Sequence, residues 1–163
     1  MGSRSVGSAK RSRCSISMAR SSLVSLSVNQ VESVAHALAQ ELMEWGEPIP
    51  PFESRFPDRL ESCLRTPFQK FDGKSLYRGH VGKGAILFYL MIKNHPFQNG
   101  NKRVAVMTLL YFLFENGWWI DVDNDVLYDF ANEVAQSPSR NSRIEVRKIR
   151  NFIRKHLTRP SLR

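Results

Sequence analysis

The sequence lacks the features that mark several protein classes. Its two cysteines, Cys14 and Cys63, lie far apart in dissimilar segments, no CxxC pair occurs, and the four histidines are scattered. This argues against a disulfide framework and a structural zinc site, and it favours a reducing, cytoplasmic location. No uncharged apolar run reaches the roughly 18 residues that span a bilayer, because the longest, VAVMTLLYFLF, ends at Glu115. We therefore expect a globular protein without a membrane segment.

Acidic residues are scarce at both ends of the chain. Residues 1–22 carry five Lys/Arg and no acid, and residues 143–163 carry eight Lys/Arg and one acid. Residues 23–142 hold 11 basic and 14 acidic residues, so the net charge of +9 belongs to the ends. Basic tails can attract nucleic acid, but solvated termini explain the same charge. Because the middle is acidic, a nucleic-acid partner ranks last among the hypotheses.

Composition divides the chain into three parts. Residues 1–22 are rich in Ser and Arg with little to bury, which predicts disorder. A transit peptide, an expression tag or an upstream mis-start with Met18 as the true start would have the same composition. Residues 23–157 are expected to form one domain, and residues 158–163 a short basic tail.

The domain is predicted to be all-α with one small β-hairpin. Ser27 and Gln30 form a capping box at the start of the first helix, whose apolar face is predicted to consist of Val31, Val34, Ala35, Leu38, Leu42 and Trp45. Further helices are expected from Asp58 to before Pro67, from about Val81 to Asn94, Gly100 to Asn116 and Asn124 to Gln136, and from Ser142 to His156 or Leu157.

Two of these helices and one turn define the centre of the predicted fold. The helices at 81–94 and 100–116 are apolar around nearly their whole circumference, so we expect both to be buried. Asp72-Gly73 is a strong two-residue turn signal between apolar residues, which predicts a short hairpin or flap. Glu145, three residues after Ser142, predicts a capping box for the last helix.

The nine residues HPFQNGNKR, from His95 to Arg103, carry the strongest chemical signal. The proline after His95 biases the histidine away from helical geometry, and Phe97 is expected to anchor the loop in the core. Gly100 and Asn101 begin a helix, where free backbone N–H groups and the helix dipole favour an anion.

Two cations at the same helix start strengthen the case for an anionic ligand. Lys102 and Arg103 oppose the helix dipole there, so an external phosphate would balance them. A histidine beside a phosphate cradle suggests a general base in phosphoryl or nucleotidyl transfer. The alternatives are a hydrogen-bonding loop histidine, a turn-and-cap role for NGN, and solvated cations.

The stretch resembles the signature of the Fic/Doc superfamily, His-x-Phe-x-Asp/Glu-Gly-Asn-x-Arg. Lys102, where Fic enzymes usually have Gly, is similar to the death-on-curing (Doc) branch, and the flanks LESCLRTPFQKFDGKSLY and FLFENGW also resemble the family. The likeness covers most of residues 23–157. It implies a Fic-fold helical bundle with the motif between two central helices and a small hairpin flap.

The resemblance also implies a role for each motif residue. His95 would be the general base that deprotonates a target hydroxyl, and Phe97 would be structural. Gly100 and Asn101 would form an anion hole, and Lys102 and Arg103 would contact nucleotide phosphates. A flap would pair with the target's backbone as an added strand, formed by Lys70, Phe71, Asp72, Gly73, Lys74, Ser75, Leu76 and Tyr77.

The sequence departs from the family pattern at two positions. Asn99 stands where a carboxylate would help to hold Mg²⁺, and a neutral amide binds this hard cation less well. Mg²⁺ is thus an expected cofactor, and Asn99 is expected to bind it more weakly than a carboxylate would. Val106 stands where the last arginine of the Fic pattern falls, which argues against AMP transfer and favours the Doc branch.

The leading hypothesis is a Doc-like toxin of a toxin–antitoxin system. It would transfer a phosphoryl group from ATP or another nucleoside triphosphate to a Ser, Thr or Tyr hydroxyl of a bacterial protein, such as a translation elongation factor. The alternatives are a Fic-type AMP transferase and a catalytically weak Fic-fold binding module. The inhibitory motif of many Fic proteins, Ser/Thr-x-x-x-Glu-Gly/Asn, does not appear, since Tyr111 precedes Glu115 by four residues. A separate antitoxin is therefore an expected partner.

Overall fold

A computed structural model describes residues 22–43 and 46–161. Helix α1 has three parts, an α-helical turn at Val28–Gln30, a π-helical stretch at Val31–His36 and an α-helical end at Ala37–Leu42. The other helices are α2 Pro57–Arg65, α3 Gly79–Lys93, α4 Asn101–Glu115, α5 Asn124–Gln136 and α6 Ser142–His156. Two-residue strands occur at β1 Lys70–Phe71, β2 Lys74–Ser75, β3 Trp119–Ile120 and β4 Leu157–Thr158.

Helices α3 and α4 form the centre of the bundle, as predicted. They pack against each other, α6 and α5 flank them, and α1 covers α4. Gly84 permits the close approach of α3 to α4, since a Cβ there would lie 3.2 Å from Leu109 Cδ1 and 3.6 Å from Phe112. These contacts confirm the all-α fold. Within the described residues, no helix combines the length and apolar character needed to cross a bilayer.

The hairpin of β1 and β2 is also confirmed. The strands pair antiparallel, with Lys70 opposite Ser75, and Asp72 and Gly73 both have left-handed backbones, as a tight two-residue turn requires. Lys83 of α3 fixes the hairpin's base, because its buried ammonium donates to Ser75 Oγ at 2.9 Å and to the carbonyls of Pro67 at 2.9 Å and Tyr77 at 2.8 Å.

A second strand pair was not predicted. β3 pairs antiparallel with β4, with Trp119 opposite Thr158. Arg159 continues this contact by donating to the carbonyl of Gly117 at 2.9 Å and lying over the Trp118 ring. Thr158 and Arg159, which the sequence analysis assigns to a basic tail, thus contact the domain.

Helix α1 differs most from the prediction. Its buried apolar residues Val31, Ala35 and Ala39 recur at steps of four, whereas Leu38 is 37% exposed and Leu42 65% exposed. Leu38 and Leu42 instead line an open apolar cleft that α1 forms with residues of α4 such as Leu110. Trp45 of the predicted apolar face and residues 1–21 of the predicted disordered segment lie outside the described residues.

The predicted caps meet mixed outcomes. Ser27 and Gln30 form the expected capping box. The box predicted for α6 is wrong, because Asn141 occupies the cap position without a side-chain cap, and buried Glu145 instead pairs with Lys148 at 3.1 Å.

Cys63 is buried and free, and burial raises the pKa of its thiol to about 11.

Candidate active site

The loop between α3 and α4 presents an unpaired imidazole. His95 leaves α3 through a left-handed backbone conformation, with φ of +46°, which an L-residue adopts at an energetic cost. The loop's backbone is held from outside, since Phe56 N–H donates to Pro96 O at 2.8 Å and Arg59 Nη1 to His95 O at 3.3 Å. The His95 side chain is exposed and makes no hydrogen bond, ion pair or ring contact with any described residue.

Phe97 anchors this loop in an aromatic cluster. It is 2% exposed, and its ring centroid lies 5.8 Å from that of Phe52 and 5.3 Å from that of His36. His36 Nε2 lies 3.1 Å from the carbonyl of Pro50, which can only accept, so Nε2 carries the proton. Burial lowers the pKa of His36, which favours the neutral ring that this packing needs.

The turn into α4 is closed by side-chain amides. Asn101 accepts from Phe97 N–H at 2.9 Å and donates to Phe97 O at 2.8 Å. Gly100 has φ of +76°, and a Cβ there would lie 2.7 Å from Ile49 Cγ1. Its N–H donates to Asn99 Oδ1 at 2.6 Å. The N–H groups of Asn101, Lys102 and Arg103 have no acceptor among the described residues and remain available to a ligand.

The cations of the motif have unlike surroundings. Arg103 is 6% exposed, and its guanidinium donates to the carbonyls of Met43 and Glu47. No carboxylate in the described part of the chain pairs with it. Burial lowers the pKa of Arg103, but a guanidinium keeps its charge in proteins. Lys102 turns to α5, where it donates to Asn132 Oδ1 near the Tyr128 ring.

These residues line one open cavity of about 450 Å³. The structure thereby brings together the predicted residues His95, Asn99, Gly100, Asn101, Lys102 and Arg103. Such a volume suits a small-molecule ligand. A buried cation, free N–H groups and an unpaired imidazole around one cavity can bind an anion and accept a proton beside it.

Glu47 and its segment have no predicted role in the site. From the sequence, Gly46 and the prolines at 48, 50 and 51 indicate only the end of a helix, but Gly46 and Glu47 line the cavity and Ile49 packs on Gly100. Glu47 Oε2 lies 3.4 Å from Asn99 Nδ2. The available signal was an acid within a proline-rich stretch, which by itself says nothing of where the segment lies.

The predicted flap is not brought to this cavity. Lys83, which holds the hairpin, precedes His95 by twelve residues. At the rise of an α-helix, twelve residues correspond to about 18 Å along the helix axis. Leu76 and Tyr77 line a different cleft, with arginines of α6. The docking role of residues 70–77 therefore stays a prediction.

The cavity's oxygen donors are compatible with a hard cation. No group of three His, Cys, Asp or Glu side chains that could hold a metal occurs among the described residues. Glu47 is the one acidic residue among the described residues that line the cavity, and the amide oxygen of Asn99 accepts the Gly100 N–H. One carboxylate fits Mg²⁺ that also keeps waters and nucleotide phosphates as ligands.

Comparison with known proteins identifies the family. Residues 25–113, more than half of the chain, match the model of the Fic/DOC family. No curated protein and no solved structure matches the chain significantly. The matched segment contains α1 to α3, the HPFQNGNKR loop and most of α4. The chain therefore belongs to the Fic/DOC family, whose members transfer nucleotide or phosphoryl groups to proteins.

Proposed function

We propose that the protein is a Doc-like toxin that transfers a phosphoryl group from ATP, or another nucleoside triphosphate, to a hydroxyl of a bacterial protein. The observation that carries the proposal is Arg103, a buried cation without a carboxylate partner among the described residues, in the cavity that His95 also lines. A buried uncompensated charge is costly, and a phosphate would balance it.

The residues of the cavity have distinct roles in this reaction. His95 accepts the proton of the target hydroxyl while its oxygen attacks the γ-phosphorus. The bond from that phosphorus to the bridging oxygen breaks, and the nucleoside diphosphate leaves. Arg103 and the free N–H groups at the start of α4 stabilise the phosphate charge. When bound, Mg²⁺ would neutralise further phosphate charge.

Two sequence features favour phosphoryl transfer by a Doc-like enzyme over AMP transfer. Lys102 is typical of the Doc branch, and Val106, where the Fic pattern has an arginine, is 1% exposed and belongs to the core. A bacterial protein target and a separate antitoxin follow from the same resemblance and are part of the proposal.

A second candidate is a catalytically weak binding module of the Fic fold. Asn99 Oδ1 already accepts the Gly100 N–H, so this donor of the predicted anion hole is occupied. Asn99 also lacks the charge with which a carboxylate would assist the cation.

Labelled ATP distinguishes these candidates. The protein is incubated with a bacterial lysate and ATP labelled at the γ- or the α-phosphate, beside His95→Ala and the control His156→Ala on α6. We expect label from γ alone, lost in His95→Ala and retained in His156→Ala. Label from α would favour AMP transfer, and no His95-dependent label from either would favour the binding module.

A further inference from the structure

Both ends of the Asn99 amide have partners within the protein. Its Oδ1 is engaged by the Gly100 N–H at 2.6 Å, and its Nδ2 lies 3.4 Å from Glu47 Oε2. An amide nitrogen is a donor and cannot ligate a cation. The side chain of Asn99 therefore positions Glu47, while the negative charge at this end of the cavity belongs to Glu47.

Arg103 couples that carboxylate to the phosphate site. Arg103 lines the cavity, and its guanidinium donates to the backbone carbonyl of Glu47. The cation that would bind phosphate thus also fixes the residue that carries the carboxylate. A triphosphate in this cavity would be repelled by Glu47 unless a cation lay between them.

We propose that Glu47 supplies the metal-binding carboxylate of this site in place of Asn99, and that a divalent cation accompanies the nucleotide there. The inference rests on the proposed function, since it requires a nucleoside triphosphate in the cavity. The carboxylate is provided by the segment after α1, and Asn99 is a positioning residue. One charged oxygen ligand together with phosphates and water is a usual arrangement for Mg²⁺.

Nucleotide binding with and without the metal tests this assignment. Binding of a non-hydrolysable ATP analogue is measured by calorimetry with Mg²⁺ and with EDTA, and Mn²⁺ bound to the complex is counted from the loss of its free electron-resonance signal. The variants are Glu47→Gln, Asn99→Asp, their combination, and Glu53→Gln as an exposed control acid on the same segment.

The variants are expected to show that the carboxylate charge of the site can be moved from position 47 to position 99. Glu47→Gln lowers the Mg²⁺-dependent gain in nucleotide affinity by at least about tenfold, as loss of a metal-site partner does, and removes Mn²⁺ from the complex. Its affinity in EDTA is unchanged or higher, because a repulsive charge is gone. Adding Asn99→Asp to Glu47→Gln restores both readouts, and Glu53→Gln behaves as wild type.

Two other results overturn the assignment and are distinguishable. If the analogue binds, and Arg103→Gln weakens that binding, but Glu47→Gln leaves the gain from Mg²⁺ unchanged, then Glu47 is not the ligand and only this inference fails. If the analogue does not bind to the wild-type protein with or without the metal, the proposed function fails and this inference fails with it.

Discussion

The side-chain amide of Asn101 makes two hydrogen bonds to the backbone of Phe97. Its oxygen accepts from the Phe97 N–H at 2.9 Å, and its nitrogen donates to the Phe97 carbonyl at 2.8 Å. This pair sets the width of the loop between α3 and α4 and fixes the first turn of α4 behind it. The side chain of Asn101 consequently stabilises the loop, and the backbone N–H groups of that turn can bind an anion.

We expect Asn101→Ala to lose both bonds and to destabilise the protein by about 1–3 kcal/mol, because the backbone N–H and carbonyl of Phe97 are left without these partners. Asn101→Asp keeps one acceptor but faces the Phe97 carbonyl with a second oxygen, so its loss should be similar. Urea unfolding gives the free energy of unfolding. An Asn101→Ala protein as stable as the wild type would show that these hydrogen bonds do not stabilise the loop.

Gly100→Ala should destabilise the start of α4. The position has a left-handed backbone, which costs an L-residue roughly 1–2 kcal/mol, and the new methyl would meet Ile49 Cγ1 at 2.7 Å. Thermal unfolding of Gly100→Ala, Ile49→Ala and the double variant separates the two effects. Ile49→Ala should partly offset Gly100→Ala, since it removes the clash and leaves the backbone strain. Strictly additive losses would show that the clash is not the cause.

Lys83→Met should free the hairpin from α3. The ammonium satisfies Ser75 Oγ and the carbonyls of Pro67 and Tyr77, and methionine satisfies none of them. We expect a loss of about 2–4 kcal/mol, given that bonds to a charged donor are stronger than neutral ones. Amide hydrogen exchange should accelerate first at Leu76, whose N–H donates to the Gln69 carbonyl at 3.1 Å across the hairpin's base. Unchanged exchange there would contradict the anchoring role.

Stability should fall as the pH is lowered below about 6.5. Burial lowers the pKa of both His36 and His80 below the ordinary value of 6.5. Between the folded-state pKa and 6.5, the unfolded chain therefore binds more protons than the folded chain. The free energy of unfolding decreases as the pH falls through that window, and the contribution of the two histidines to stability is complete above it. Arg159 adds to the lowering at His80.

Urea titrations at pH 7.5 and 5.5 check this dependence. His36→Gln, with the Pro50 contact in reach of its amide, should show a smaller loss between the two pH values than the wild type, with the remainder due to His80. A loss of equal size in wild type and variant would show that His36 does not contribute.

The central elements could be predicted because their signals are local. Apolar residues on every face of the α3 and α4 segments, punctuated by Pro96 and Gly117, gave bounds within two residues of those observed. The Asp72-Gly73 turn determined the hairpin in the same way. Periodicity misled at Leu38 and Leu42, because these residues line an open apolar cleft, which the spacing of apolar residues does not distinguish from a closed core.

The rest depended on contacts between distant parts of the chain. Glu47 reaches Asn99 across 52 residues, and Trp119 pairs with Thr158 through strands of two residues each. Neither leaves a pattern in its own segment. The motif residues lie together because they are consecutive in the sequence. Glu47 lies beside them only because of the path of residues 46–56.

Helix α6 has a consequence for how this protein can be divided. The family match ends at residue 113, yet α6 packs on α3, with Ile149 and Ile153 completely buried. A fragment that stopped at the end of the match would expose the side of α3 that these isoleucines cover. The smallest segment that folds cooperatively is thus expected to extend through α6, beyond the segment by which the family is recognised.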